Sequence, residues 1–244
     1  ANNFLQKKSV DTGLSLQTER RSNRLVEMSS LPLFLLLSAL LPFVSSFVLP
    51  PPIRETDQQW TLVQKRDDGS EAYWNRSWEE YKEGFGTEEG SFYWMGLEGL
   101  HGLASRSTSL KIEMWGDRSP GSKHENDYYW AIYTFSLDDE STNYTAHFGY
   151  DWSNPNLGNA TTGWYDLTCN DGVPFSTIDR INDPSPQCVT DYHVGGWWLR
   201  NCAFASLNGE YNPSLGLGNG YGLFWIVDGL YVINPAKTKM WIAS

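Results

Sequence analysis

The four histidines are the first residues to test for catalytic or metal chemistry. His101, His124, His147 and His193 are widely separated, and none has the short HxH or HExxH spacing that brings two imidazoles to one metal ion. No serine occupies the glycine-flanked turn of a nucleophilic hydrolase. A secreted glycosidase needs two carboxylates about 5 to 10 Å apart in space, a distance that sequence leaves open. These patterns favour a binding protein over an enzyme.

The charge of the chain limits the classes of partner. Its formal net charge is −11 over 244 residues. Nucleic acids and anionic membrane surfaces carry the same sign of charge and are therefore disfavoured, whereas cationic ligands and metal ions remain compatible. Three Asn-X-Ser/Thr sequons, at Asn75, Asn143 and Asn159, are candidate glycosylation sites in a secreted chain.

The amino-terminal part of the chain has the features of a targeting segment. Residues 1–27 show no apolar periodicity and are interpreted as an upstream extension rather than part of the working protein. Residues 28–46 combine a leucine-rich apolar run with Ser45 and Ser46, which is typical of a secretory signal peptide. A membrane-spanning anchor is the alternative, although prolines in and after the run weaken such a helix. We predict a secreted, extracellular chain, with a Pro-rich linker at residues 47–59 and no membrane insertion of the mature part.

Short elements must position any binding residues in the remaining chain. The 12 Trp, 13 Tyr and 22 Gly residues indicate a loop-rich fold with aromatic packing. Ser77 and Glu80 form a capping-box pattern, so we predict a helix of about two turns that ends at Gly84. Alternating or apolar runs predict strands at residues 60–64, 110–114, 128–135 and 144–148.

A long polar segment, residues 151–222, follows these elements. It is dominated by Asn, Asp, Gly, Pro and Ser, and a loop region of this length inside a domain is usually functional or disordered. The embedded Trp164, Trp197 and Trp198 argue against disorder. We therefore expect this segment to be ordered and functional.

The chain resembles fibrinogen C-terminal domains in a series of ordered blocks. These blocks are residues 60–66, 75–86, 94–98, 143–149, 175–179, 195–198 with Cys202, and 207–211. The resemblance covers residues 60–242 and implies an α+β fold, with a twisted, mainly antiparallel sheet, short helices and a long loop-rich ligand region. The family includes fibrinogen chains, ficolins, tachylectin-like lectins, tenascins and angiopoietin-like proteins, which are extracellular binders.

The start of the domain departs from the family pattern. Family members normally have a further strand-bearing segment with two mutually bridged cysteines before the position of Trp60, where this chain has the Pro-rich linker. We therefore expect residues 60–244 to form an amino-terminally truncated domain. It is either a minimal variant or an incomplete or wrongly joined product.

The resemblance also implies a disulfide between Cys188 and Cys202. Such a bridge is favoured in an oxidising compartment and closes a loop of about 15 residues, which would contribute roughly 3 kcal/mol. Cys169 would be left outside it. We interpret Cys169 as a buried small hydrophobe, and the alternative is an intermolecular bridge that makes a disulfide-linked dimer.

Calcium is the cofactor that the resemblance suggests. The family holds it with two aspartates one residue apart, just before the first cysteine of the bridge, and here those positions are Ile181 and Asp183. Calcium requires many hard oxygen ligands, so the loss of one carboxylate should weaken the site. Asp183 would be the remaining ligand, with Asp179 or Asn182 as substitutes. The alternative is an ordinary turn rich in Asn and Asp.

The family's acetyl-group pocket lies beside that metal site, and its walls are altered here. His193 takes a place that is usually aromatic, Ala203 stands where His is typical, and Asn219 with Gly220 replaces Tyr-Ala. We expect His193 to be a ligand contact or a structural histidine. The tandem Trp197 and Trp198 are interpreted as core, as in the family motif.

Two binding functions follow from the resemblance. The first is a lectin-like, non-enzymatic recognition protein that binds glycans or microbial patterns in innate immunity through the loop region. The alternative is an extracellular protein ligand for a receptor or matrix partner, without sugar or calcium binding.

Overall fold

The structure is a computed structural model that describes residues 58–161, 165–229 and 231–243. The predicted upstream extension, the signal peptide, most of the linker and Trp164 lie outside the described residues. Within those three ranges, no helix is long and apolar enough to cross a membrane.

Short helices and strands make up the regular structure. The strands are β1 (Trp60–Arg66), β2 (Phe85–Gly86), β3 (Phe92–Trp94), β4 (Thr108–Trp115), β5 (Tyr128–Leu137), β6 (Ala146–Gly149), β7 (Phe175–Ser176), β8 (Trp197–Trp198), β9 (Ala205–Ser206), β10 (Phe224–Val227), β11 (Tyr231–Ile233) and β12 (Lys237–Ala243). The α-helices are α1 (Trp78–Glu83), α2 (Leu97–Ala104) and α3 (Gln187–Thr190), and 3-10 turns span Tyr73–Asn75, Glu140–Thr142 and Leu167–Asn170.

A seven-stranded antiparallel sheet organises the fold. Its strand order is β2-β3-β1-β12-β4-β5-β6. The last strand, β12, pairs with both β1 and β4. The two ends of the described chain therefore meet in the middle of the sheet.

One face of this sheet carries the apolar core. In β4 the alternate residues Leu110, Ile112 and Met114 are fully buried, because successive side chains of a strand point to opposite faces. Tyr81 of α1 and Leu97 of α2 are buried in the same apolar cluster. Helices α1 and α2 therefore pack on this face of the sheet.

Helix α1 begins and ends where the sequence predicts. The backbone N–H of Glu80 donates to Ser77 Oγ at 3.3 Å, and the Glu80 carboxylate accepts from the Ser77 N–H at 2.8 Å. This reciprocal capping box satisfies two backbone donors that the helix leaves unpaired. Gly84, at a φ of 97°, ends the helix. The predicted capped helix is confirmed.

The loop region between β6 and β12 contains two small sheets, β7-β8 and β11-β10-β9. Trp197 and Trp198 are fully buried, which confirms them as core. Asn170 Nδ2 donates to the carbonyl of Trp198, and Asn208 Nδ2 donates to the carbonyl of Gly196, both at 2.9 Å. Buried backbone with little sheet pairing requires such partners for its carbonyl groups.

A buried arginine joins the sheet to the loop region. Arg66 of β1 is 1% exposed, and its guanidinium donates to the carbonyls of Gly209 at 2.7 Å and Leu207 at 3.3 Å. The ring of Tyr73 lies 4.5 Å from the guanidinium carbon. Burial lowers the pKa of Arg66 to about 10. Carbonyl dipoles and an aromatic face therefore hold this charge in the interior.

One predicted strand needs correction, and one helix was not foreseen from the sequence. The predicted strand at residues 144–148 starts at Ala146, because Asn143 and Tyr144 adopt left-handed backbone with φ of 58° and 49°. Helix α2 was not predicted. Its Gly99 and Gly102 lower helix propensity, and burial of Leu97 and Leu100 against the core outweighs that preference.

Candidate ligand-binding site in the loop region

A disulfide links Cys188 of α3 to Cys202. The sulfur atoms are 2.13 Å apart, and the Cα atoms are 5.1 Å apart. Cys188 is fully buried, whereas Cys202 is half-buried. The bridge that the resemblance implied is therefore present, and it fastens the turn at residues 200–203 to α3.

Asp183 fastens the same turn a second time. Its side chain accepts from the Ser185 N–H and the Asn201 N–H, both at 2.7 Å. Burial raises the pKa of Asp183, although the N–H groups of Ser185, Asn201 and Cys202 act in the opposite direction. Asn201 and Cys202 have φ of 52° and 69°, a left-handed backbone that is unfavourable for residues with a Cβ. The carboxylate and the bridge together hold a strained turn.

The predicted calcium ligands take part in other contacts. Asp179 accepts from the Trp78 N–H at 2.8 Å, at the start of α1. Asn182 donates its side-chain amide to a carbonyl of β7 at 2.6 Å, and Ile181 packs against the core. Among the described residues, no three His, Cys, Asp or Glu side chains form a metal-binding group. Calcium needs about six to eight oxygen ligands, so these residues do not fit the ion unless Asp183 and its neighbours give up their present bonds.

His193 forms a cluster with Trp74 and Glu210. Its imidazole stacks on the indole of Trp74, with ring centroids 3.8 Å apart and planes 14° apart. Its Nδ1 lies 2.7 Å from Glu210 Oε2, and the Glu210 N–H donates to the His193 carbonyl at 2.8 Å. Tyr192 and Tyr221, with ring centroids 4.9 Å apart, connect this loop to the next. Stacking and two hydrogen bonds thus fix the half-buried histidine.

A cavity of about 230 Å³ adjoins this cluster. Glu71, Trp74, Glu210 and Tyr211 contribute to its walls. Glu71 also pairs with Arg76 at 2.8 Å. Pockets for whole small-molecule ligands usually measure about 300 to 1,000 Å³, so this cavity suits a single side chain or a group of similar size.

The predicted pocket residues do not line this cavity, although His193 contacts two residues that do, Trp74 and Glu210. Ala203 packs against the apolar core, where its methyl group offers no hydrogen bond. Asn219 is exposed, and its amide donates to a carbonyl in its own loop at 3.3 Å. Gly220 has a φ of 72° and lies beside Phe224. Of the predicted pocket residues, only His193 belongs to the cluster beside this cavity, and a shared ligand pocket of His193, Ala203, Asn219 and Gly220 stays a prediction.

The three sequons lie in different environments. Asn75 is exposed at the end of a 3-10 turn. Asn143 accepts a hydrogen bond from Arg180. Asn159 donates to the Tyr128 carbonyl at 2.9 Å and accepts from a backbone N–H of β5 at 2.8 Å. A glycan at Asn159 would modify an amide that already bonds the sheet, whereas Asn75 is accessible.

Cys169, the third cysteine, lies in the 3-10 turn Leu167–Asn170 and is half-buried. Burial raises the pKa of its thiol, which disfavours the reactive thiolate. A dimer linked through Cys169 stays a prediction.

Sequence reasoning missed Trp74, Glu71 and Glu210 as site residues. Glu210 lies in a block that resembles the family, but the resemblance gave it no role. Trp74 precedes His193 by more than a hundred positions in the printed sequence, and no local pattern pairs them. Only the folded chain shows which acid and which indole face the histidine.

Comparison with known proteins connects this arrangement to a family. The family model for the C-terminal globular domain of fibrinogen beta and gamma chains matches residues 45–242. The chain belongs to the fibrinogen C-terminal domain family. The match starts upstream of residue 60 and so includes the segment that was interpreted as a linker.

Curated relatives of this fibrinogen C-terminal domain are longer proteins. The fibrinogen alpha-2 chain of Petromyzon marinus is 38% identical over 160 residues, which are 62% of this chain and 23% of the relative. Angiopoietin-related protein 6 of Mus musculus is 33% identical over 68% of this chain and 34% of its own length. Ryncolin-4 of Cerberus rynchops is 34% identical over 68% of this chain and 44% of its own length. The chain thus spans less than half of each of these relatives.

Solved structures confirm the predicted fold. The fibrinogen-like globe domain of human ANGPTL6 is similar with a TM-score of 0.59 and 32% identity, over 75% of this chain and 77% of that one. A lamprey fibrin D-dimer, solved with the peptide ligand Gly-His-Arg-Pro-amide, gives a TM-score of 0.56 and 25% identity, over 76% and 61% of the two chains. The expected α+β fold with a mainly antiparallel sheet is therefore confirmed.

Proposed function

We propose that this fibrinogen C-terminal domain is a secreted, non-enzymatic recognition module that binds an extracellular partner protein without calcium. The binding surface is the cluster of Trp74, His193 and Glu210 with its adjoining cavity. The observation that carries the proposal is the fixed geometry of this cluster. A preorganised aromatic and hydrogen-bonding surface loses little side-chain entropy when a ligand binds.

The environment of His193 supports recognition rather than catalysis. Its hydrogen bond goes to the Glu210 carboxylate. A nucleophilic triad also has a bond between histidine and a carboxylate, but it requires in addition a hydroxyl or thiol within hydrogen-bond reach of the other ring nitrogen. Among the hydrogen bonds of the described residues, none joins such a group to His193. The histidine is therefore suited to shape a binding surface.

The altered pocket walls favour a protein partner over an acetylated sugar. Ala203 supplies no donor, and two of the three predicted calcium ligands, Asp179 and Asp183, accept hydrogen bonds from backbone N–H groups. Peptide binding has a precedent among similar structures, since the lamprey fibrin fragment is described with the peptide Gly-His-Arg-Pro-amide. A cavity of about 230 Å³ accommodates one inserted side chain.

Lectin-like recognition of glycans in innate immunity is the second candidate. The half-buried indole of Trp74 beside the polar groups of Glu71 and Glu210 is an arrangement on which a sugar ring can stack. In this alternative, calcium would bind at Asp183 after the backbone N–H groups are released.

Parallel binding arrays separate the two candidates. The domain is applied to extracellular receptor and matrix proteins and to a glycan array, each with calcium and with a chelator. We expect protein hits that survive both the chelator and deglycosylation of the target. Glycan hits that disappear with the chelator and in Asp183→Ala would instead establish the lectin alternative.

Substitutions then locate the binding surface. We expect Trp74→Ala and Glu210→Gln each to weaken partner binding about tenfold or more, as central interface residues do. Trp152→Ala is the matched control, because Trp152 is 77% exposed and outside the cluster, and it should change affinity less than about twofold. Equal affinities for all variants would contradict the assigned surface.

A further inference from the structure

The face of the seven-stranded sheet opposite the apolar core, called here the outer face, carries an unusual set of side chains. It includes Lys65, Lys111, Lys237, Lys239, Glu113, Trp115, Trp241 and Tyr128, and by the same register the apolar residues Leu62, Trp130 and Ile132. Directly paired residues share a face, and the intervening residues of β4 and β12 point into the core. None of these residues belongs to the loop-region site.

Lys239 occupies the middle of the outer face. Its ammonium lies 5.6 Å from the ring centroid of Trp115 and 5.8 Å from that of Trp241. Both indoles are half-buried and therefore still present surface to solvent. A cation between two aromatic rings is held in place while its remaining N–H donors stay available.

The carboxylate opposite Lys239 is already engaged. Glu113 pairs with Lys239 in the strand register. Its Oε1 accepts from the Tyr128 hydroxyl at 2.6 Å, and its Oε2 accepts from Trp241 Nε1 at 2.7 Å. Lys111 Nζ lies 3.2 Å from Oε1. Glu113 therefore fixes its neighbours and leaves Lys239 without a salt bridge to it.

The other neighbour of Lys239 is a second lysine. Lys65 lies directly opposite it on β1 and pairs with Asp67 at 3.2 Å. Lys237 and Lys239 form no ion pair with any other residue in the described ranges. Like charges in directly opposed positions destabilise a sheet. In a chain with a net charge of −11, the two lysines without an ion pair, Lys237 and Lys239, indicate a site for an anion.

Two grooves on the outer face share Lys239 as a wall. One, of about 430 Å³, includes Trp60 and Trp241. The other, of about 300 Å³, includes Trp115 and Lys237. Glu88 lines the first groove and Asp67 the second, so each groove combines an indole with two ammonium groups and one carboxylate. The positive charges are therefore in excess in both grooves.

We propose that the outer face binds an anionic saccharide, a sugar chain that carries sulfate or carboxylate groups. The anionic groups bond to Lys237 and Lys239, and the apolar faces of the sugar rings stack on Trp115 and Trp241. An acidic peptide would satisfy the lysines without a use for the flanking indoles. The chain's own residues 1–57 contain six basic and five acidic residues, so they lack the required negative charge.

Immobilised heparin is the sulfated probe for this proposal, with polygalacturonate as the carboxylated probe and polyglutamate as the acidic peptide. We expect the domain to bind both saccharides, more weakly at higher salt because exposed charges are screened. Lys237→Gln/Lys239→Gln should weaken heparin binding about tenfold, the loss of two exposed ionic contacts. Trp74→Ala should leave it unchanged, since Trp74 belongs to the loop-region cluster.

Two further variants make the test specific, one a charge-matched control and the other a change in the proposed site. Lys82→Gln/Lys123→Gln has the same change in net charge, and neither lysine lines the grooves. It should alter heparin affinity less than about twofold if the site is local. Trp115→Leu should weaken saccharide binding but not polyglutamate binding. Circular dichroism melts confirm that each variant is folded.

Four results would overturn the proposal. The first is that the domain binds neither saccharide, and the second is that both double-lysine variants lose heparin affinity equally. The third is that polyglutamate binds as tightly as heparin and that Trp115→Leu does not weaken its binding. The fourth is a salt-sensitive dimer of the domain that Lys237→Gln/Lys239→Gln dissociates. The third result would assign the face to an acidic protein segment. The fourth would assign it to a second copy of the chain.

Discussion

Removal of the Cys188–Cys202 bridge should lower the free energy of unfolding by about 3 kcal/mol, because the bridge restricts the unfolded chain. The two cysteines are separated by 14 positions. In the chain-entropy account, closing a loop of about 15 residues contributes about 3 kcal/mol at 25 °C. The expected loss therefore depends on loop length rather than on native contacts.

The native turn should survive reduction, because other bonds hold it. Asp183 accepts from the Asn201 N–H at 2.7 Å, and the Val194 N–H donates to the Cys188 carbonyl at 3.1 Å. We therefore expect the reduced protein to keep its fold and its partner affinity at temperatures well below the melting point. The bridge would then stabilise the site without shaping it.

Urea unfolding followed by tryptophan fluorescence tests this expectation. Trp197 and Trp198 are fully buried in the native state and become exposed on unfolding, so they report the transition. Oxidised and reduced protein are compared in a Cys169→Ser background, which prevents thiol exchange and keeps both bridge sulfurs. A loss of about 3 kcal/mol corresponds to a urea midpoint lower by about 1 to 3 M. A difference below about 1 kcal/mol would refute the loop-closure reasoning.

Four further substitutions, one of them a control, test other parts of the structure by urea unfolding. Ser77→Ala removes the capping box and should lower the free energy of unfolding by about 1 kcal/mol; no loss would show that the cap is dispensable. Gly196→Ala places a Cβ 2.0 Å from Tyr81 Oη at a φ of 71°, so it should lower the free energy of unfolding by about 3 kcal/mol or more. Gly172→Ala is its control, because Gly172 has a similar φ of 69° but open space around it, and the expected loss is about 1 kcal/mol. Burial alone would raise the pKa of Glu113, but hydrogen bonds from neighbouring side chains outweigh it and lower that pKa from 4.5. The stability that Glu113 contributes is therefore present above pH 4.5 and is lost as the pH falls through the lowered pKa. Glu113→Gln should flatten the dependence of the free energy of unfolding on pH in this acidic range, and an unchanged slope would exclude the contribution.

Local sequence patterns predicted the bounds of helix α1 correctly, because the residues that set them act on the backbone close by in sequence. The cap at Ser77 and the stop at Gly84 are examples, since both act within one helical turn. The left-handed residues Asn143 and Tyr144 were missed because Tyr seldom adopts positive φ. There, the turn that starts at Asp139 and the burial of Tyr144 override the local preference.

The site was less predictable than the fold because its contacts are distant in sequence. The family resemblance led to Cys188, Cys202 and His193, but not to the indole and carboxylate that position the histidine. The same limit applies to Asp183. Its backbone donors at residues 201 and 202 are presented by a strained turn, and no side-chain pattern records which N–H groups such a turn exposes.

A loop region can serve as a binding scaffold only if its irregular backbone is held as firmly as a sheet. In this domain buried polar side chains provide that support, since Asn170, Asn208, Asp183 and Arg66 each bond to backbone groups of the loops. Each of these bonds is buried or partly buried, where an unpaired partner would be costly. Exposed loop residues, such as Asn219, carry no comparable constraint. The pocket walls can therefore change, and with them the ligand, while the buried polar set keeps the loops in place.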